Sequence, residues 1–261
     1  INDFIKYLAV AKSYNNSKLL GILNLKYATS TKEVDMPGFR LIKKFEECIP
    51  CKKGDWPYWI AGPYLYENED FLPRYYFVNN SILIVGGSEQ SQNLIYSILL
   101  NKNFNPRTAV IIQGKDSRIS GYKLDFLKKF NAIILLSGSI DQGSLFILEQ
   151  YKNSGGKIFP DVLSNKNALD ASEIEKLLKS FNGNVVEVDS ELISANEIKL
   201  MPKNKGFLVL SEKFSLFDGW KAQKDGANID ILNADAVISS VYVDPGTVTF
   251  RFTQESFKTG L

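Results

Sequence analysis

This chain of 261 residues contains no histidine. That absence removes Ser-His-Asp and Cys-His activation of a nucleophile, and it removes imidazole from any metal site. Enzyme chemistry here would rest on carboxylates, Lys, Tyr and backbone dipoles. Cysteine is nearly absent as well: Cys48 and Cys51, in Cys-Ile-Pro-Cys, are the whole supply. Two thiols without further Cys or His fall short of a zinc site, so no metal is expected. A redox Cys-x-x-Cys opens a helix after a strand, whereas this pair sits among Pro50, Lys52, Lys53, Gly54 and Pro57, which read as a loop. A local disulfide, a pair of free thiols and a redox pair all stay open, with the disulfide leading. No stretch reaches the ~18 apolar residues of a membrane span, and no signal-peptide pattern is visible. No dense run of Lys or Arg occurs, and the net charge is only +2. Nucleic acid and a basic membrane anchor therefore have no electrostatic footprint. The start at Ile1 and the stop at Thr259-Gly260-Leu261 read as cuts in a longer chain.

What is present is the balance of a globular protein, 44% hydrophobic and 23% charged, rather than that of a disordered one. The length suits one large domain or two modest ones. Residues 1–27 open with helical periodicity, Phe4, Ile5 and Leu8, joined by Val10 and Ala11, forming one face and Leu19, Leu20, Ile22 and Leu23 following. Short strands are expected at 25–30, 39–45, 64–67 and 75–78. From Ser81 continuous apolar runs alternate with amphipathic helices: Ile82 to Val85, Ala109 to Ile112, Ala132 to Leu136 and Lys157 to Phe159. Leu145, Leu148 and Tyr151 mark the inner face of one helix, and a strand at 185–188 closes the sheet. This alternation predicts a parallel sheet covered on both faces. From Gly206 short strands dominate, with turns at Asp225-Gly226 and Asp244-Pro245-Gly246, which suggests a sandwich. Trp220 is expected in its core. No repeat or low-complexity tract interrupts the chain.

The candidate ligand-binding residues follow from this layout. Gly86-Gly87-Ser88 lies between a strand and a helix, where backbone N–H groups can cradle an anion. It is neither GxGxxG nor a Walker loop, and a tight turn explains the glycines equally. Ser137 and Ser139 follow the central strand at the ligand-binding edge of open α/β sheets. Ser88 sits in a partial nucleophile elbow, but neither it nor Ser139 has a base, so no catalytic residue is assigned. Trp56 and Trp59, in an aromatic stretch, suit either sugar stacking or loop packing. Asn15-Asn16-Ser17 and Asn79-Asn80-Ser81 match the short N-glycosylation pattern. No cofactor is expected.

Two resemblances sharpen the reading. Ile82 to Gly87, Phe130 to Leu136 and Leu148-Glu149-Gln150-Tyr151 leading to Gly155-Gly156-Lys157-Ile158 resemble the class I glutamine-amidotransferase-like, flavodoxin-like fold. That group's enzymes place a Cys after the central strand and a His later; this chain has Ser137 and Ser139 there and no His, so architecture is implied and amidotransferase activity is not. The flanks resemble the YfhO-type family of polytopic membrane proteins, which are similar to GT-C glycosyltransferases. The lines that carry this are Leu19 to Tyr27, Tyr66-Glu67-Asn68 with Leu72-Pro73-Arg74, Gly219-Trp220-Lys221 with Asp225-Gly226, and Val241 to Gly246 with Val248, Phe250 and Ser256-Phe257. In that family these lines are extracytoplasmic, and the catalytic acids lie in membrane loops outside this sequence.

The combined expectation is α/β plus β: a parallel-sheet, flavodoxin-like domain (81–202) inserted into a β-sandwich-type domain made of residues 1–80 and 203–261. It implies a non-catalytic extracytoplasmic accessory region at the cell membrane. Its partners are the membrane-embedded remainder of its own chain and a glycan, lipid-linked sugar or envelope component, with no nucleic acid. A stand-alone carbohydrate-binding protein and a soluble α/β nucleotide- or small-molecule-binding protein are the rivals.

Overall fold

The computed structural model describes residues 2–13, 16–46, 63–166, 168–216 and 219–253. Cys48, Cys51, Trp56 and Trp59 lie outside them, as does Asn15. The chain divides into two compact units, Asn2–Pro73 and Arg74–Leu261.

The first unit holds α1 (Asn2–Ser13), α2 (Ser17–Ile22), β1 (Tyr27–Ser30), β2 (Phe39–Lys44) and β3 (Tyr64–Asn68). β3 is the centre of an antiparallel sheet in the order β1-β3-β2. Asn16 caps α2, its side-chain oxygen accepting from the Leu19 N–H at 3.1 Å, which satisfies one of the free amides of the first turn. The buried face of α1 differs from the expected one. Ala11 is buried as expected, but Ile5 is 59% exposed and Leu8 38%, while Tyr7, outside the expected face, is fully buried. The Tyr7 hydroxyl explains the choice: it donates to the Leu19 carbonyl at 2.9 Å, so the tyrosine buries its ring without stranding its polar end.

The second unit begins with β4 (Tyr75–Val78) and β5 (Asn80–Val85), then runs through α3 (Ser88–Leu100), β6 (Ala109–Gln113), α4 (Leu124–Leu127), β7 (Ala132–Leu135), α5 (Ser144–Asn153), β8 (Lys157–Phe159) and α6 (Ala171–Ser180). β5 to β8 are parallel neighbours in the order β8-β7-β5-β6. Their side chains are buried on both faces from Ile82 to Val85 and from Ala132 to Leu135, as uninterrupted apolar runs require. Ile95, Ile98 and Leu99 of α3 and Ile174, Leu177 and Leu178 of α6 supply covering faces. Leu145, expected inside, is 48% exposed, whereas Leu148 and Tyr151 are buried. The buried face of α5 is Ser144, Leu148 and Tyr151, an i, i+4, i+7 stripe, and Leu145 stands beside it.

The remaining strands are β9 (Val186–Glu187), β10 (Ser190–Ser194), β11 (Glu197–Leu200), β12 (Gly206–Leu210), β13 (Trp220–Lys224), β14 (Ala227–Ile229), β15 (Leu232–Ala234), β16 (Ile238–Val243) and β17 (Val248–Phe252). Among the described residues they fill two sheets. One is antiparallel, in the order β10-β11-β17-β13-β14; the other extends the parallel strands as β6-β15-β16-β12-β4-β9, giving a mixed nine-stranded sheet. The strand expected at 185–188 to close the parallel sheet instead pairs with β4, Val186 opposite Phe77. The β10–β11 hairpin was not foreseen, because Ser190–Ser194 is exposed along its whole length and shows no alternation. The Asp225-Gly226 turn joins β13 to β14 with both residues at positive φ, +49° and +86°, the geometry that suits the right-handed twist of a hairpin. The two sheets share one core: Tyr75, Phe77, Leu208, Leu210, Val241 and Val243 from one side meet Ile198, Leu200, Ala222, Val248 and Phe250 from the other. Trp220 is not within that core. It is partly buried at its margin, stacked on Phe214 with ring centroids 3.9 Å apart.

The nine-stranded sheet returns on itself. β4 runs into β5 across the single residue Asn79, yet β6, β15, β16 and β12 stand between them in the sheet. Chain continuity holds the two ends within a few ångströms, so these six strands make a closed circuit around β4–β5. The circuit is tied at its weakest seam by Asp235. Only Ala234 and Ile112 are paired between β15 and β6. Beside them the Asp235 N–H donates to the Ile111 carbonyl at 2.9 Å, and the Ile111 N–H donates to the Asp235 carboxyl at 2.9 Å. Asp235 is 1% exposed, and burial pushes its carboxyl up to about 7, partly offset by the Ile111 hydrogen bond.

Candidate functional site

The expected ligand edge lies at the C-terminal ends of β5, β6 and β7. Val85 stands opposite Leu135, so the Gly86–Ser88 turn and the Leu136–Ser139 loop leave the sheet side by side. A Cβ on Gly86 would come 2.5 Å from the Leu136 Cβ, so glycine is required there by close approach. Gly87 caps α3 without a side-chain hydrogen bond, and Glu89 places an acid in the first turn, where the helix dipole favours negative charge. Gly87 and Ser88 are exposed. Ser137 is exposed and Ser139 wholly buried. The Ser139 N–H donates to the Leu136 carbonyl and its own carbonyl accepts from the Ile119 N–H, while its Oγ has no partner among the described residues. The fold thus brings Gly87, Ser88 and Ser137 to one exposed edge, with Gly86 buried beneath it, and turns Ser139 inward. Asp141, close by, accepts from the Ser120 hydroxyl, and from the Ser144 hydroxyl at 2.7 Å. The Ser120 bond first, then that of Ser144, holds its carboxyl below the usual range. These bonds organise the start of α5.

The more developed concavities lie elsewhere. At the opposite, N-terminal edge of the parallel strands, a cleft of about 530 Å³ is walled by Phe207 and Tyr242, with Lys129, Lys205, Asn79 and Asn131 among its polar groups. A second, of about 310 Å³, meets it at Asn131 and includes Asn80, Lys128, Lys157 and Gly156. Asn131 lines both, and the two adjoining clefts are taken together as the groove at the point where β4 becomes β5. The rings below it are packed on one another: Phe130 to Phe207 at 4.9 Å and Phe207 to Tyr242 at 5.1 Å. The Lys129 ammonium sits 4.9 Å from the Tyr242 ring centre, a cation–π contact that fixes its position. Asn131 accepts from the Ser81 N–H at 2.9 Å. Asn80 donates to the Thr108 and Asn182 carbonyls at 2.8 and 2.9 Å. Gly156 is also a close-approach glycine, since a Cβ there would fall 2.1 Å from the Tyr151 ring.

Sequence reasoning missed this groove. Its lysines come from the stretch before β7, from the start of β8 and from the stretch before β12, so no basic run announces them. A third cleft, of about 410 Å³, lies beside Trp220, with Asn228, Asp230 and Ile231 on its walls. Among the described residues no group of three Cys, Asp or Glu side chains is placed to hold a metal ion, and no helix is long and apolar enough to cross a membrane. No family model matches the chain, and no curated protein matches it.

Proposed function

We propose that the chain is a non-catalytic, extracytoplasmic accessory region of a membrane glycosyltransferase-like protein, in which a flavodoxin-like unit is inserted into a sandwich-type β domain and the assembly holds a glycan acceptor. One observation carries the reading. β4 pairs with β12, Val78 opposite Phe207, so strands from the two family-like flanks are hydrogen-bonded neighbours although the whole α/β stretch separates them in sequence. An insertion requires its two ends to lie side by side in this way. In chain order the four parallel strands run 2-1-3-4 across the sheet, in keeping with the flavodoxin-like order. The face-to-face packing of the two antiparallel layers supports the sandwich. The strands that complete it begin at Val186, ahead of the expected boundary at 202.

Protease shaving of intact cells that express the native protein, followed by fractionation, tests this reading. An antibody to the second unit is expected to detect the chain in the membrane fraction and to lose that signal on external protease. A protease-protected chain in the soluble fraction refutes it.

A further inference from the structure

We infer that the groove at the N-terminal edge of the parallel strands binds an anionic glycan, one whose sugars carry carboxylate or phosphate groups. The inference rests on the glycan-holding reading above and names the class of glycan and its site. Charge is the first argument. Lys129 and Lys205 line one of the two adjoining clefts and Lys128 and Lys157 the other, and among the described residues no Asp or Glu lines either. In a chain of net charge +2 this is a local concentration of one sign. A concave, low-dielectric wall focuses such a field toward an incoming anion. Asp244 holds Lys205 at 3.1 Å. It limits the mobility of that lysine, and among the described residues the other three lysines form no ion pair with a carboxylate.

Chemistry of the remaining wall is the second argument. Asn79, Asn131 and Asn204 bring side-chain amides to the groove, groups that donate to and accept from sugar hydroxyls, whereas the Asn80 amide is turned to the Thr108 and Asn182 carbonyls. The aromatic rings of the wall already have partners. Phe130, Phe207 and Tyr242 pack on one another, and Lys129 covers Tyr242. Binding of single-stranded nucleic acid draws on exposed ring faces for its bases, so this wall favours hydroxyls and anions over nucleobases. Position is the third argument. The groove takes Phe77 and Phe207 from the antiparallel strands and Ser81 and Lys129 from the α/β stretch, and junctions between structural halves are where ligand clefts concentrate.

Isothermal titration calorimetry with the purified chain tests this. The probes are an oligogalacturonate hexamer, a neutral maltohexaose of equal length and a dT12 oligonucleotide, each at two salt concentrations. The variants are Lys129→Gln/Lys205→Gln and, leaving the Tyr242 contact intact, Lys128→Gln/Lys157→Gln. Lys32→Gln/Lys102→Gln makes the same charge change outside the groove. The oligogalacturonate is expected to bind at least tenfold more tightly than maltohexaose, to weaken with salt, and to lose tenfold or more in either groove variant and nothing in the control. Equal, lysine-independent binding of both sugars overturns the groove assignment and leaves the glycan-holding reading standing. Absence of binding by either sugar overturns both. Lysine-dependent binding of dT12 as tight as that of the oligogalacturonate overturns the glycan class and assigns the groove to polyanions at large.

Discussion

Replacing Asp235 by Asn isolates the electrostatics of the seam that closes the nine-stranded sheet. The Asp235 carboxyl is buried and accepts from the Ile111 N–H. Asn keeps that acceptor and nearly the same volume, and it tolerates the positive φ of +44° found at this position. What it removes is the titration. The carboxyl moves from an ordinary value of 3.8 to about 7 because burial disfavours its charge. That interval is about three decades of proton affinity, or about 4 kcal/mol at about 1.4 kcal/mol per decade. The sign follows from proton counting. Between pH 4 and pH 7 the folded chain holds a proton that the unfolded chain has released, so unfolding free energy falls as pH rises. The contribution is complete below about pH 4 and gone above about pH 7. Tyr76, whose hydroxyl is buried without a partner among the described residues, is pushed well above its usual range by burial first and by Asp235 second, with Arg107 acting against both.

The assay is urea unfolding of both proteins at half-unit steps from pH 4.5 to 8.5, with amide exchange at Ile111 reporting on the seam. The two proteins are expected to be within about 1 kcal/mol of each other at pH 4.5, and Asp235→Asn to be more stable by about 2–4 kcal/mol at pH 8.5. Asp230→Asn, at an exposed position, serves as the control and is expected to show no such divergence. A difference between Asp235→Asn and wild type that stays constant across the range would falsify the assignment of a buried, proton-holding carboxyl.

Two packing predictions accompany it. Gly86→Ala places a methyl 2.5 Å from the Leu136 Cβ and is expected to destabilise by about 1–3 kcal/mol; a neutral result in thermal unfolding means that the β5–α3 turn does not press on β7. Phe214→Ala removes the ring that stacks on Trp220 and contacts Phe250 and is expected to cost about 3–5 kcal/mol, read by urea unfolding, whereas a loss under about 1 kcal/mol places Phe214 outside the core.

The parallel strands were legible because each is apolar along its whole length and each is followed by a turn and an amphipathic helix. Ile82 to Val85 and Ala132 to Leu135 need no tertiary information to be read as strands covered on two faces. Ser190–Ser194 lacked such a signal: an exposed edge strand has no face to bury, and its serines and its glutamate obey no period. On α1 the apolar period pointed at Ile5 and Leu8, while the helix buried Tyr7 through a hydroxyl bond that hydrophobicity alone does not register. The ligand-edge glycines were visible as residues, and Gly86 proved to be fixed by contact with Leu136, a reason that depends on which strand lies beside β5.

The groove stayed hidden for a topological reason. Residues 75–85 read as two strands, and each was assigned to its own domain. They form one path of chain bent at Asn79, whose first part pairs with β12 and β9 and whose second part pairs with β6 and β7. A bend of this kind pulls the ends of both sets of strands around one point. The residues just before β5, β7 and β12 then converge there, although 50 to 125 positions separate them in sequence. Lys129 comes from one of those approaches and Lys205 from another, and each has only one other lysine within two positions, too short a run to draw notice. The backbone at the bend also needs hydrogen-bond partners that neither set of strands supplies alone. Asn131 meets that need at Ser81, accepting from its N–H, and the Asn80 side chain ties the bend to the Thr108 and Asn182 carbonyls. The amides that hold the bend together therefore line the same groove as the lysines. A substitution such as Asn131→Leu is on that account expected to disturb the joint and the binding surface at once, which is why the lysines and not the asparagines are the residues to vary when ligand recognition is measured.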